Sequence, residues 1–170
     1  MRIRVLLFAG LLVALSLIAA PANAANQISG TANFAERPEC LPAPTDFADY
    51  PPIDMNFESP SSLDGCWYTN ILTAKTTPGG VYLESGEELF VGSLNGGPEG
   101  SFRTTYKFEA KLTSDLPPSE IRGRCQHKIV AGSGTGGFTG ASGRVDFKDI
   151  INKETLALIQ YDYRGHISLP

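Results

Sequence analysis

Two histidines, one adjacent pair of glutamates and a scatter of tyrosines are the residues here with acid–base potential. His127 falls in a run that alternates: it shares a face with Ile121, Gly123, Cys125 and Ile129, while Arg122, Arg124, Gln126 and Lys128 take the other. The apolar company points His127 inward. An enclosed imidazole beside an enclosed phenol such as Tyr106 makes an acid–base pair, whereas a core histidine satisfied by one hydrogen bond is the plainer reading. Glu87 and Glu88 are neighbours in Gly86-Glu87-Glu88-Leu89-Phe90, so on a regular strand one of them faces the interior. Glu88 is the candidate taken with His127 and Tyr106; the alternative leaves both carboxylates wet at a strand end. A buried carboxyl holds its proton more tightly and gains acid or base function.

Other chemistries find less support. Two histidines do not assemble a Ser-His-Asp or Cys-His set. No Cys-x-x-Cys spacing occurs, so no metal site is expected. Gly132-Ser-Gly-Thr-Gly-Gly137 matches the dinucleotide fingerprint in form, but the chain continues as turn and strand rather than the helix that a pyrophosphate requires. No cofactor is implied. A ligand-holding interior is expected around Tyr106, Phe108, His127 and Ile129.

The elements that position these residues are strands. Phe102, Thr104, Tyr106, Phe108 and Ala110 alternate with Arg103, Thr105, Lys107, Glu109 and Lys111 in strict period two. Similar runs cover 66–75, 81–91, 121–131, 138–151 and 156–169, separated by Pro78-Gly79-Gly80, Asn95-Gly96-Gly97-Pro98, Leu116-Pro117-Pro118, the glycine run and Asn152-Lys153. No segment beyond the N-terminal stretch has helical periodicity. Six such strands, plus one or two from the preceding segment, predict an all-β fold: a small antiparallel up-and-down barrel of about 7–8 strands, closed because closure removes edges that would aggregate.

Residues 1–24 read as a signal peptide. Arg2 and Arg4 precede an apolar run to Ala20, then Pro21 and the small-residue site Ala22-Asn23-Ala24, with cleavage expected after Ala24. The destination is periplasmic or secreted. Of the 14 basic and 18 acidic residues, only Arg2 and Arg4 fall in the leader, leaving 12 against 18, a net of −6. That balance argues against nucleic acid as a partner. No later stretch is apolar enough to span a bilayer. Residues 25–62 form a Pro-rich arm (Pro38, Pro42, Pro44, Pro51, Pro52, Pro60) in which 28–34 reads as a short strand. Within the arm, Phe47, Tyr50, Ile53, Met55 and Phe57 are expected to dock on the body or lid one end of it. Residues 63–170 are the barrel domain. In an oxidising compartment two of Cys40, Cys66 and Cys125 pair and the third is a buried small hydrophobe; the sequence leaves all three pairings open.

The stretch Gly132-Ser-Gly-Thr-Gly-Gly-Phe-Thr-Gly-Ala-Ser-Gly-Arg-Val-Asp-Phe147 resembles the G-x-G-x-F-x-G-A-x-G element of the allene oxide cyclase and dirigent-like barrels. Gly100–Phe108 resembles the preceding strand pair of that group, and Tyr163-Arg-Gly-His-Ile167 its closing strand, so the likeness runs from about residue 80 to the end. The resemblance implies a small antiparallel barrel with a hydrophobic substrate inside, in a group whose members steer cyclisation or coupling of reactive intermediates. No active site is carried over from it.

Three functions are compatible with this reading. The first is an exported barrel that binds a small apolar molecule unchanged, recognisable by a cavity with few ionisable groups. The second is a cyclase or isomerase using His127, Tyr106 and the inward glutamate. The third is a cell-envelope structural or interaction protein with the arm as its contact surface. A homo-oligomer is compatible with each.

Overall fold

A computed structural model describes residues 25–170; the expected leader, with its cleavage site, lies outside the described residues. Nine strands form: β1 (Asn26–Phe34), β2 (Ile53–Asp54), β3 (Leu63–Thr76), β4 (Val81–Leu94), β5 (Gly100–Leu112), β6 (Glu120–Ile129), β7 (Thr135–Gly136), β8 (Ser142–Ile151) and β9 (Leu158–Ser168). Every pairing between these strands is antiparallel, and one isolated parallel bridge ties Ala48 of the arm to Thr69. Eight strands close a ring in chain order, β1-β2-β3-β4-β5-β6-β8-β9 and back to β1, while β7 lies outside the ring against the start of β5. This is the expected up-and-down barrel, and its wall includes β1 and β2 from the Pro-rich arm.

Alternation sends one set of side chains inside. Tyr106 and Thr104 on β5, His127 and Cys125 on β6, Val145 and Phe147 on β8, and Tyr161 and Tyr163 on β9 are buried. Their neighbours point outward and are charged: Arg103, Lys107 and Glu109 on β5, Arg122, Arg124 and Lys128 on β6, Arg144 and Lys148 on β8, Asp162 and Arg164 on β9.

One end of the interior is packed solid. Trp67, Phe90, Phe102 and Phe138 are fully buried, with Phe102–Phe138 ring centroids 5.0 Å apart and Trp67–Phe102 5.8 Å in edge-on contact. Such contacts add about 0.5–1.5 kcal/mol each beyond area burial. Phe138 reaches that place because the glycine run curls back on itself. Gly136 takes φ +53°, a left-handed conformation costly for any residue with a Cβ, and Phe138 enters as a plug one turn later. The fingerprint-like glycines therefore build a floor for the barrel, with no helix behind them.

The arm is fastened to the outer face of β3. Cys40 and Cys66 form a disulfide, and Phe47 and Tyr68 pack beside it as a second small core. Arg37 pins the same region by bonding Asp54, Asp64 and the carbonyl of Gly65. Ile53 and Met55 are buried in the main core, and Phe47 docks under the Arg103 guanidinium, 5.1 Å from its ring centroid. Phe57 departs from expectation and is 45% exposed. No helix among the described residues is long and apolar enough to cross a membrane.

Candidate functional site

The other end of the barrel is hollow. A cavity of about 320 Å³ opens there, walled by Phe34, Ile53, Phe108, Phe147 and Leu158 and carrying a polar set from six strands of the barrel and from its arm. That volume is at the low end of the range for small-molecule sites.

His127 and Glu88 form the inner limit of this cavity. Both are buried, with His127 Nε2 3.1 Å from Glu88 Oε2. Thr69 donates to Glu88 Oε1 at 3.3 Å and Thr104 to Oε2 at 3.2 Å. On its other side, His127 Nδ1 is 3.0 Å from the Val145 carbonyl oxygen. A carbonyl only accepts, so Nδ1 carries hydrogen and fixes the ring. The Nε2–Oε2 contact then needs one proton between imidazole and carboxyl. Trp67 and Phe147 brace the ring, with centroids 5.1 and 4.4 Å away.

Further toward the mouth, Glu84 precedes Glu88 by four residues on the same face of β4. Tyr106 donates to Glu84 Oε1 at 2.7 Å, and Tyr82 donates to Oε2. Both carboxyl oxygens thus act as acceptors. Burial first, and then the bond to Glu84, raises both phenols; Tyr82 is pushed up to about 12 and Tyr106 further. These phenols keep their protons at any physiological pH and hold Glu84 in place.

Glu120 and Asp149, the second carboxyl pair in this cavity, come from β6 and β8. Asp149 is buried, and desolvation followed by a hydrogen bond and charge repulsion from Glu120 pushes its carboxyl up to about 8. Two carboxyls this close share a proton, which belongs to the pair. Gly123 makes room for them: a Cβ there would sit 2.2 Å from Asp149 Oδ2 and 2.4 Å from Glu120 Oε1. At the mouth, Tyr50 of the arm meets Tyr161, hydroxyl to hydroxyl, at 3.2 Å. The Cys125 thiol also lines the cavity, and burial pushes it well above its ordinary range. Among the described residues, no group of three or more His, Cys, Asp and Glu is arranged to hold a metal ion.

The structure brings together Tyr106, His127, Glu88 and Phe108, all named from sequence as site residues, around one cavity. Ile129 is not among them: two residues beyond His127 along β6, it lies past the cavity floor and is buried in the core. His166 is outward, as its alternation implies, and Cys125 is the buried unpaired cysteine. Glu84 and Asp149 escaped sequence reasoning although both obey alternation, Glu84 with Tyr82 and Glu88, Asp149 with Val145 and Phe147. Glu120 was not legible that way. The register jumps from Lys111↔Arg122 to Leu112↔Glu120, leaving Ile121 as the extra residue of a bulge. Ile121, assigned inward from alternation, is instead 47% exposed, and Glu120 takes the inward place.

A closed antiparallel barrel with one packed end and one polar, hollow end is the class of protein these observations define. Comparisons with family models, with curated proteins and with solved structures return no match to this chain.

Proposed function

We propose that this protein is an exported barrel enzyme that binds a small, largely apolar molecule bearing one oxygen function, and moves a proton on it in an isomerisation or cyclisation. The observation that carries this reading is the pairing, in one cavity, of a carboxyl kept protonated with a carboxylate held by donors. Asp149 keeps its proton near neutral pH because of burial and Glu120, while Glu84 accepts from two phenols. A carboxyl that holds its proton and a carboxyl whose two oxygens both serve as acceptors divide acid from base. The acid donates to the substrate oxygen, the base takes a proton from the adjacent carbon, and the apolar walls of Phe34, Phe108 and Leu158 hold the rest.

Catalysis is favoured over simple carriage because the cavity is rich in ionisable groups, where a carrier of apolar cargo needs few. The closed barrel and the 134–143 glycine element are compatible with the allene oxide cyclase-like group, whose chemistry is of this class. Export is supported by the leader pattern of residues 1–24 and by the Cys40–Cys66 disulfide, a bond that persists in oxidising compartments.

The test uses a small enolisable ketone, α-tetralone, in deuterated buffer, followed by proton NMR. The wild-type protein is expected to speed loss of the α-proton signals above buffer, and Glu84→Gln and Asp149→Asn each to cut that rate by about 10²–10⁴-fold. Ketone that binds, seen as shifted resonances, but exchanges no faster than in buffer would overturn the enzyme reading in favour of carriage.

A further inference from the structure

The outer wall over β5, β6, β8 and β9 does not match the rest of the molecule. The chain after residue 24 is acidic, yet most of its lysines and arginines stand on these four adjacent strands, opposed there only by Glu109, Asp146 and Asp162. Opposite charges face each other at Glu109 and Arg124, Asp146 and Arg164, and Lys148 and Asp162, but like charges meet as well. Register puts Lys128 directly opposite Arg144, Arg124 directly opposite Lys148, and Lys111 directly opposite Arg122. Like charges facing each other across a sheet are destabilising. Most of these side chains are exposed, and the two ion pairs nearby, Arg124–Glu109 at 3.6 Å and Arg144–Asp146 at 2.6 Å, leave Lys148, Lys128 and Arg164 unopposed by any ion pair among the described residues. All of these charged side chains except Lys128 wall a concavity of about 730 Å³ on the outside of the barrel.

We propose that this concave face binds an acidic polysaccharide, a linear glycan carrying carboxylate or sulfate groups. Three features select that occupant. The cations recur across strands spaced about 4.8 Å apart, a repeat comparable to one sugar, so successive acidic groups meet successive strands. Glu109, Asp146 and Asp162 sit among the cations, and a carboxylate accepts hydrogen bonds from glycan hydroxyls, whereas it repels a partner that offers only phosphates. The patch is also local. With a Debye length of about 8 Å at physiological salt, a sparse polyanion feels this face and little of the acidic remainder, while nucleic acid, with a charge every ~1.7 Å, is repelled by the molecule as a whole. An anionic bilayer fits less well, because the face is concave and walled mostly by charged side chains, the exposed Ile121 and Ile159 of these strands lying outside the concavity. This inference is independent of the chemistry inside the barrel.

The experiment is a salt series of binding to a defined decamer of galacturonate, by calorimetry or fluorescence anisotropy on the full chain. Dextran of similar length and phosphatidylglycerol vesicles are the comparison arms. Expected is binding to the galacturonate decamer that weakens as salt rises, with none to dextran. Arg124→Glu with Lys148→Glu should weaken it at least tenfold, whereas Lys75→Glu with Lys153→Glu, the same charge change elsewhere on the surface, should leave it within twofold. The neutral pair Arg124→Gln with Lys148→Gln gives an intermediate loss and guards against a folding defect, read by circular dichroism. Equal loss in both charge-reversed proteins, or binding to vesicles without binding to the decamer, would overturn the proposal.

Discussion

Replacing Asp149 by Asn should change how stability responds to pH, in a direction that follows from the site. In the folded protein the Asp149 carboxyl holds its proton up to about pH 8, against an ordinary value of 3.8. In the unfolded chain it releases that proton as pH passes 4. Between these limits the folded state binds more protons than the unfolded one, so folding loses stability as pH rises, by about 1.4 kcal/mol per unit at most. The contribution is fully present below about pH 4, drains away through neutrality and levels off above pH 8. From pH 5 to pH 8 the loss is on the order of 4 kcal/mol. Asn keeps the shape and can donate to Glu120, but it does not titrate. The assay is urea unfolding followed by tryptophan fluorescence, Trp67 being the reporter, at pH 5, 6, 7 and 8. Wild-type stability should fall across this series, and the variant should fall by several kcal/mol less. Parallel curves for the two proteins would show that Asp149 ionises normally, and the acid–base reading of the cavity would lose its acid.

Three further outcomes follow from the packing. Gly123→Ala forces a methyl group to within 2.2 Å of the Asp149 carboxyl, so it should destabilise by about 1–3 kcal/mol and steepen dependence on the Glu120–Asp149 pair, which urea midpoints of the single variant and of Gly123→Ala with Asp149→Asn would separate. Cys40→Ala with Cys66→Ala opens a loop of sequence separation 26, and the loop-closure estimate gives a loss of about 3.5 kcal/mol, read as a lower thermal midpoint with the barrel spectrum retained. Cys125, buried and with its thiol pushed up, should resist Ellman's reagent at pH 8 in the native protein and react promptly in urea; fast native reaction would place the thiol in contact with solvent.

The fold was legible because its signal is repetitive. Period-two alternation in β5 and β6 assigns inside and outside along the strand, and Tyr106 and His127 both face inward as it requires. The site was only half legible, for two physical reasons. Alternation names the inward carboxyls Glu84 and Asp149 but says nothing about depth along the barrel, so it does not distinguish the hollow end from the packed end; Ile129 was assigned to the cavity for the same reason. Bulges then reset parity. The extra residue at Ile121 turns Glu120 inward, and no sequence period announces it. The pairing of Cys40 with Cys66 likewise depends on where the Pro-rich arm returns to β3, which is a three-dimensional fact.

The direct test of the site is the protonation of one atom pair. Carbon-13 NMR of protein labelled at Asp and Glu side chains, with Asp149→Asn and Glu120→Gln to assign the resonances, reads whether the pair keeps one proton. A pair still holding one proton at pH 6.5 and releasing it near pH 8 is the expected result. Asp149 and Glu120 resonances both ionised at pH 6.5 would contradict the account.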